Sequence, residues 1–185
     1  MSNGVTVKLT QVSDSKIIDN LLKAAKDKLY VYVGVQKDTA PRKDDLITNA
    51  EVALANEFGT DKIPERSFIR STIKEKRQKY KDMNIRAAKK ILTSNLDQDS
   101  LIKLHLATLG QQAENDIKAK ITEIRYPELS KKTIEARRSR LLSVTKSKKQ
   151  KAKIMAASLD KPLIDTAQLR SSIKYLVSKK QKSSI

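Results

Sequence analysis

Apolar residues recur along this chain in two rhythms, an alternation of two and a spacing of three and four, and together they outline a mixed fold. Residues 5–9 alternate and predict a first strand. Ser13, Asp14 and Ser15 offer capping oxygens to residues 16–28, where Ile17, Ile18, Leu21, Leu22 and Ala25 fall on one helical stripe. Residues 29–35, Leu-Tyr-Val-Tyr-Val-Gly-Val, are rich in β-branched and aromatic side chains and predict the best strand of the chain. Residues 37–45, with Pro41 and a cluster of charges, predict a loop. Thr48 and Asn49 can cap a short helix over 51–58, and Gly59 follows it as a residue able to take positive φ.

Ile63-Pro64 breaks the chain and places Glu65 in the first turn of the longest helical pattern, 65–93. Its apolar positions are Phe68, Ile69, Ile73, Tyr80, Met83, Ile85, Ala87 and Ala88. After a turn at 95–98, a second long helix is predicted over 99–124, striped by Leu101, Leu104, Leu106, Leu109, Ala113, Ile117, Ile121 and Ile124. Tyr126-Pro127 ends it, because a residue before proline disfavours the helical region. Ser130 can cap a short helix over 131–140. Residues 144–158 read as a basic, mobile insertion, with 154–159 as a short helical continuation. Asp165 or Thr166 can cap a helix over 168–171. Residues 172–177 predict a last strand, Ile173, Tyr175 and Val177 alternating with Ser172 and Lys174, before a frayed tail at 179–185. The sum is one α+β domain over residues 1–185. Its expected sheet is small and mostly antiparallel, with three to four strands, packed by two long helices and several short ones.

Composition narrows the chemistry. Hydrophobic residues make up 38% of the 185 and charged residues 32%, which predicts a thin core and much surface covered by solvent or partners. The absence of cysteine excludes disulfides, thiolate catalysis and zinc sites built on sulfur. The single histidine, His105, excludes a multi-histidine metal site within one chain. As a general base it would need a nucleophile and a carboxylate at a workable spacing, and none is visible, so it is expected to be an ordinary helix residue. Glycines at 4, 34, 59 and 110 form no phosphate-cradling loop. The expectation is a protein that is not an enzyme, with no catalytic, cofactor-binding or metal residues and no cofactor. No apolar run approaches the ~18 residues that span a bilayer. The first residues carry no secretory pattern either, so a soluble chain synthesised in the cytoplasm, with no membrane partner, is expected.

The formal net charge is +18, unevenly placed: 0 over residues 1–60, +5 over 61–130 and +13 over 131–185. A basic C-terminal third suggests a polyanion or an acidic protein face as partner. Lysines and arginines over 74–86, and Lys146, Lys148, Lys149, Lys151 and Lys153, are candidate phosphate contacts. Tyr80 is the one aromatic interleaved with them, a thin basis for base stacking.

Four stretches, in order, resemble a known family. Val33-Gly34-Val35 is followed by Asn56-Glu57-Phe58-Gly59-Thr60 and then Ile63-Pro64, Arg66, Phe68 and Arg70. Leu129-Ser130, Thr133 and Arg137 form a third block. The fourth is Pro162-Leu163-Ile164-Asp165-Thr166, with Leu169, Ser172 and Ile173. In this order and spacing, from about residue 29 to 177, they resemble the tail-completion or head–tail joining proteins of long-tailed phages, also called minor tail or virion morphogenesis proteins. The pattern has glycine where this chain has Ala167. If that position needs positive φ, alanine is strained; the expectation here is a helical turn instead.

The resemblance implies a virion structural protein of the phage neck that forms a homo-oligomeric ring, six-fold as a rule, around the DNA channel. Its implied partners are copies of itself, tail tube or terminator proteins and the head connector, with possible contact to packaged DNA. The corner at 47–70 and the segment 162–177 would build the subunit frame, with Phe58 and Phe68 expected to form its core rather than an interface. The basic stretch 144–158 would order against an acidic neighbour or DNA. The rival expectation, from charge alone, is a soluble, sequence-nonspecific nucleic-acid-binding protein.

Overall fold

β-Branched and aromatic side chains at residues 29–35 can divide between a packed and an open face, and this segment forms a strand, β1 (Leu29–Val35). The computed structural model describes residues 29–35, 47–94, 96–163 and 167–179. The strand expected at 5–9, the helix at 16–28, the loop at 37–45 and residues 180–185 of the expected tail lie outside the described residues, while Lys179, expected in the tail, ends the last strand. After β1 come α1 (Asn49–Phe58), α2 (Ile69–Thr93), α3 (Gln98–Glu123), α4 (Lys131–Val144), α5 (Lys148–Ala156), α6 (Gln168–Ser172) and β2 (Ile173–Lys179). β2 pairs antiparallel with β1, Leu29 opposite Lys179 and Val35 opposite Ile173. The described residues are thus α+β, mostly helical, with a two-stranded antiparallel sheet.

α1 begins with a capping box. The Thr48 hydroxyl accepts from the Glu51 N–H at 3.2 Å, and the Glu51 carboxylate accepts from the Thr48 N–H at 2.7 Å. The long helix α2 starts at Ile69, four residues later than the sequence pattern places it. The reason is a set of contacts from outside the segment. Asn56 C=O accepts the Arg66 N–H at 2.7 Å, and the Glu57 carboxylate takes the next N–H groups, so residues 65–68 are held as an approach to the helix.

α3 carries the sheet. It lies against both strands, and α2 lies along α3. Its buried positions Gly110, Ala113, Glu114, Ile117 and Ile121 keep the expected spacing of three and four. Leu104, placed on the same stripe by the sequence, is 64% exposed, because the stripe faces the sheet only in the C-terminal half of α3. The core joins Ile117 and Ile121 to Ala53, Phe68, Leu163, Leu169 and Ile173, with Val33, Val35, Ile69 and Ile124 packed around them. Full burial of each large side chain contributes about 1.5–3 kcal/mol. Along the rest of their length α2 and α3 are joined by polar links: Lys79 and Tyr80 to Asp116, Lys120 to Glu75, and Asn84 to His105.

Two elements differ from expectation in the C-terminal third. α4 runs four residues past the expected end at 140. The basic stretch expected as a loop holds the helix α5, packed on α4. Lys, Gln, Ala and Met are all good helix formers, so the low-complexity run has helical propensity as well as charge.

At Gly110, α3 lies close against β2. A Cβ at this position would sit 2.5 Å from Cδ2 and 2.8 Å from Cγ of Tyr175. Nearby, the Glu114 carboxylate accepts the Tyr175 N–H at 3.0 Å. Gly110→Ala should therefore lower stability by about 1–3 kcal/mol through overpacking, even though alanine is the better helix former by about 1 kcal/mol. Thermal denaturation followed by circular dichroism reads this; an unchanged or raised Tm would refute the close packing of α3 on β2.

Candidate assembly site

The corner between α1 and α2 is built from short-range features of the sequence. Gly59 ends α1 at φ 76°, ψ 169°, the positive φ expected of it and a backbone open to glycine alone. A Cβ there would also lie 3.0 Å from the Glu65 N and 3.2 Å from the Ile63 O. Thr60 tightens the loop: its hydroxyl accepts the Ile63 N–H at 3.0 Å, and its own N–H donates to Ile63 C=O at 2.7 Å. Pro64 then fixes its own φ at about −65° at the start of the approach to α2.

Glu57 locks this corner. Its carboxylate is buried and accepts from the Phe68, Ile69 and Arg70 N–H groups at 2.8–2.9 Å, from the Ser67 hydroxyl at 2.8 Å and from Arg70 Nε at 3.1 Å. One side chain on the last turn of α1 thus caps the first turn of α2, where a negative charge also meets the positive end of the helix dipole. Burial pushes the Glu57 pKa up. The donors from Ile69, Arg70, Ser67 and Phe68 together outweigh it and hold the carboxyl below its ordinary value.

The two phenylalanines divide. Phe68 is fully buried in the core, as expected. Phe58 is 56% exposed, contrary to that expectation, with the Arg70 guanidinium stacked 4.3 Å from its ring centre. It is the last residue of α1 and turns away from the core face that carries Ala53 and Glu57. With Leu54 it forms a partly apolar hollow on the outer side of α1.

Arginines tie the corner to the other motif segments. Arg66, 5% exposed, donates through Nε to Pro127 C=O at 2.7 Å and through Nη2 to Glu128 C=O at 3.1 Å. Ser130 caps α4 through the Thr133 N–H, as expected. From α4, Arg137 donates to the carbonyls of Lys161 at 2.8 Å and Pro162 at 3.0 Å. The three segments enclose an open cavity of about 410 Å³, lined among others by Asn56, Arg66, Ser130, Arg137, Leu163 and Leu169. Burial and the nearby charge of Arg137 both lower the Arg66 pKa. No family model, curated protein or solved structure matches this chain.

Of the closing segment, Pro162, Leu163, Leu169, Ser172 and Ile173 are buried. Ile164, Asp165 and Thr166 lie outside the described residues, and the capping expected of Asp165 or Thr166 with them. Ala167 stands at the N-cap of α6 with φ 58°, ψ 0°, in the left-handed region. The expected helical turn is overturned: this position does need positive φ, and its alanine is strained. The basic residues Lys146, Lys148, Lys149, Lys151 and Lys153 stand apart from the corner, exposed on α5 and the residues before it.

Nothing in the sequence setting of Arg137, Glu114 or Gly110 marks them as functional, beyond the place of Arg137 at the end of its motif. Each acts on a partner tens of residues away. His105 Nε2 contacts Asn84 Oδ1 at 2.7 Å, and burial lowers its pKa. Tyr80 is half-buried with its hydroxyl donated to Asp116 at 3.0 Å, so its ring is not presented for stacking on bases. Among the described residues no helix is long and apolar enough to cross a membrane.

Two outcomes follow for stability. Because the Glu57 pKa is lower folded than unfolded, its stabilisation is complete above the ordinary carboxylate range and is lost as pH falls through the folded value. Glu57→Gln should cost about 3 kcal/mol at neutral pH and flatten the acid side of the stability–pH curve; an equally steep acid limb in the variant would show that Glu57 is not the lock. Ala167→Gly should raise stability by about 0.5–1 kcal/mol, an increase in Tm of about 2–4 °C or less for a chain of this size. A lower Tm would contradict the left-handed backbone at 167.

Proposed function

We propose that this chain is a virion structural protein of a long-tailed phage, closing into a homo-oligomeric ring that completes the tail and joins it to the head connector around the DNA channel. The observation that carries the reading is the convergence of its motif segments. The 56–70 corner, the 129–137 block and the closing segment from Pro162 are far apart in sequence, yet Arg66 reaches the two carbonyls just before the block, Arg137 reaches Pro162, and one cavity is lined by all three. Motif residues that build one structural unit are what a frame-forming role requires, and these are not arranged as an acid, a base and a nucleophile.

The balance of burial supports it further. Among the described residues eight hydrophobic residues are buried, while thirteen large ones stay exposed, Leu54, Phe58, Tyr30, Tyr32 and Leu176 among them. A subunit of a closed ring completes its burial against its neighbours through heterologous contacts. The fuller sheet of three to four strands belongs to the same reading, with the alternation at 5–9 as the source of a further strand. So do a location in the virion neck and adjacency to the tail tube.

Sequence-nonspecific nucleic-acid binding is the second reading, favoured by one observation, the basic surface of α4 and α5.

Electron micrographs and mass photometry of the purified full chain test the first reading. Rings of a fixed number of subunits, six by the resemblance, are expected. Leu54→Asp with Phe58→Ser should abolish them while leaving the far-UV spectrum and Tm nearly unchanged, since both side chains are exposed. A chain that stays monomeric at high micromolar concentration would sink the proposal.

A further inference from the structure

α4 and α5 form a helical hairpin unlike anything else among the described residues. Neither helix has a buried residue. Over residues 131–156 the hairpin carries ten lysines and arginines and a single acid, Glu135, a net +9 that is half of the chain's +18. Its packing is mainly of α5 on α4, and it is anchored to the frame at one end, where Arg137 holds the 159–162 carbonyls.

From this surface we infer that the α4–α5 hairpin is a phosphate-backbone clamp for duplex nucleic acid, centred on Lys146, Lys148, Lys149, Lys151 and Lys153. Three observations select the partner. All five lysines are exposed, so their charge is available to replace condensed counterions on a duplex. Residues 131–156 contain no Phe, Tyr or Trp; single-strand binders stack bases on aromatic rings, and this surface offers none. Protein interfaces deplete lysine and use buried aromatic and arginine anchors in packed pockets, whereas this hairpin is lysine-rich with no buried position. A charged surface with no aromatic and no buried anchor reads backbone, not base edges.

The inference deepens the second reading above, nucleic-acid binding, by naming duplex as the partner and these lysines as the contacts; it does not need the ring. Fluorescence anisotropy of the full chain with a labelled 30-base-pair duplex, across a salt series, measures it. The expected result is binding at low salt that is equal for unrelated sequences and falls steeply with salt. Replacing all five lysines by Gln should reduce the log–log slope by about 0.9 for each phosphate no longer neutralised, up to about 4.5 in total. A Lys149→Gln, Lys151→Gln pair should move it in the same direction by less, and Lys74→Gln with Lys76→Gln and Lys81→Gln on α2 should leave it nearly unchanged. Circular dichroism checks that each variant is folded.

No binding to duplex at low salt overturns the inference, and so does an unaltered slope in the folded five-lysine variant. Polyglutamate competing as well as DNA of equal charge would overturn it in favour of an acidic protein surface. Ring closure is read separately in micrographs, where the five-lysine variant should still form whatever rings the parent forms, so the two readings can fail independently.

Discussion

The buried carboxylate of Glu57 is the constraint on which the frame depends. The first N–H groups of any α-helix lack partners within the helix, and at α2 those groups enter the core beside Phe68. A side chain of α2 itself could cap one or two of them. Glu57 instead takes three N–H groups, the Ser67 hydroxyl and the Arg70 guanidinium from the far side of the corner. Capping and the angle between α1 and α2 thereby become one property. With that angle set, Phe68 is placed against Ile117 and Ile173, and Arg66 points at the carbonyls after α3. Without the carboxylate, three desolvated N–H donors would be left unpaired, each at a cost of about 1–3 kcal/mol.

This arrangement explains which parts of the fold are legible in the sequence. β1, the extent of α3, and the caps Thr48 and Ser130 are local, set by alternation, stripe and side-chain oxygen, and the sequence pattern places them within a residue or two. The start of α2 is not local. Periodicity runs back to Glu65, and only a carboxylate on another helix decides that the helix begins at Ile69. Phe58 and Phe68 are alike in sequence, but the first faces away from Ala53 and Glu57 on α1 while the second sits under the cap, so equal hydrophobicity gives opposite burial. Ala167 misleads for a related reason. A small, helix-favouring residue suggests a helical turn, but at the N-cap of α6 it stands in a left-handed backbone.

The candidate site is legible as a set of segments and not as a set of contacts. The motif positions Glu57, Arg66 and Arg137 tie together segments far apart in the chain, as Glu114 outside the motifs also does, whereas Leu54, Phe58 and Leu176 are left at the surface. The sheet has the same division: Tyr30 and Tyr32 are exposed on β1 while Val33 and Val35 meet the core. A frame held by a few charged and polar locks around a small apolar centre can be well defined in shape and still have unfinished apolar surface. Such a frame is suited to a subunit whose remaining burial comes from neighbours.

The charge of the chain divides along the same line, and by residue type. Arg66 and Arg137 direct planar, multi-donor guanidinium groups at pairs of backbone carbonyls, a geometry that the single ammonium of lysine cannot reproduce. Their charge contributes to the frame. The lysines of α5 make no such use of their donors' geometry and stand exposed around a helix with no buried position. A compact, strongly hydrated ammonium on a flexible stem suits a contact that must tolerate any sequence and any small change in register. The net charge of +18 is therefore a poor guide to the frame and a good guide to one hairpin. Half of the basic excess is carried by that hairpin, on a fold whose own interior is organised by a carboxylate.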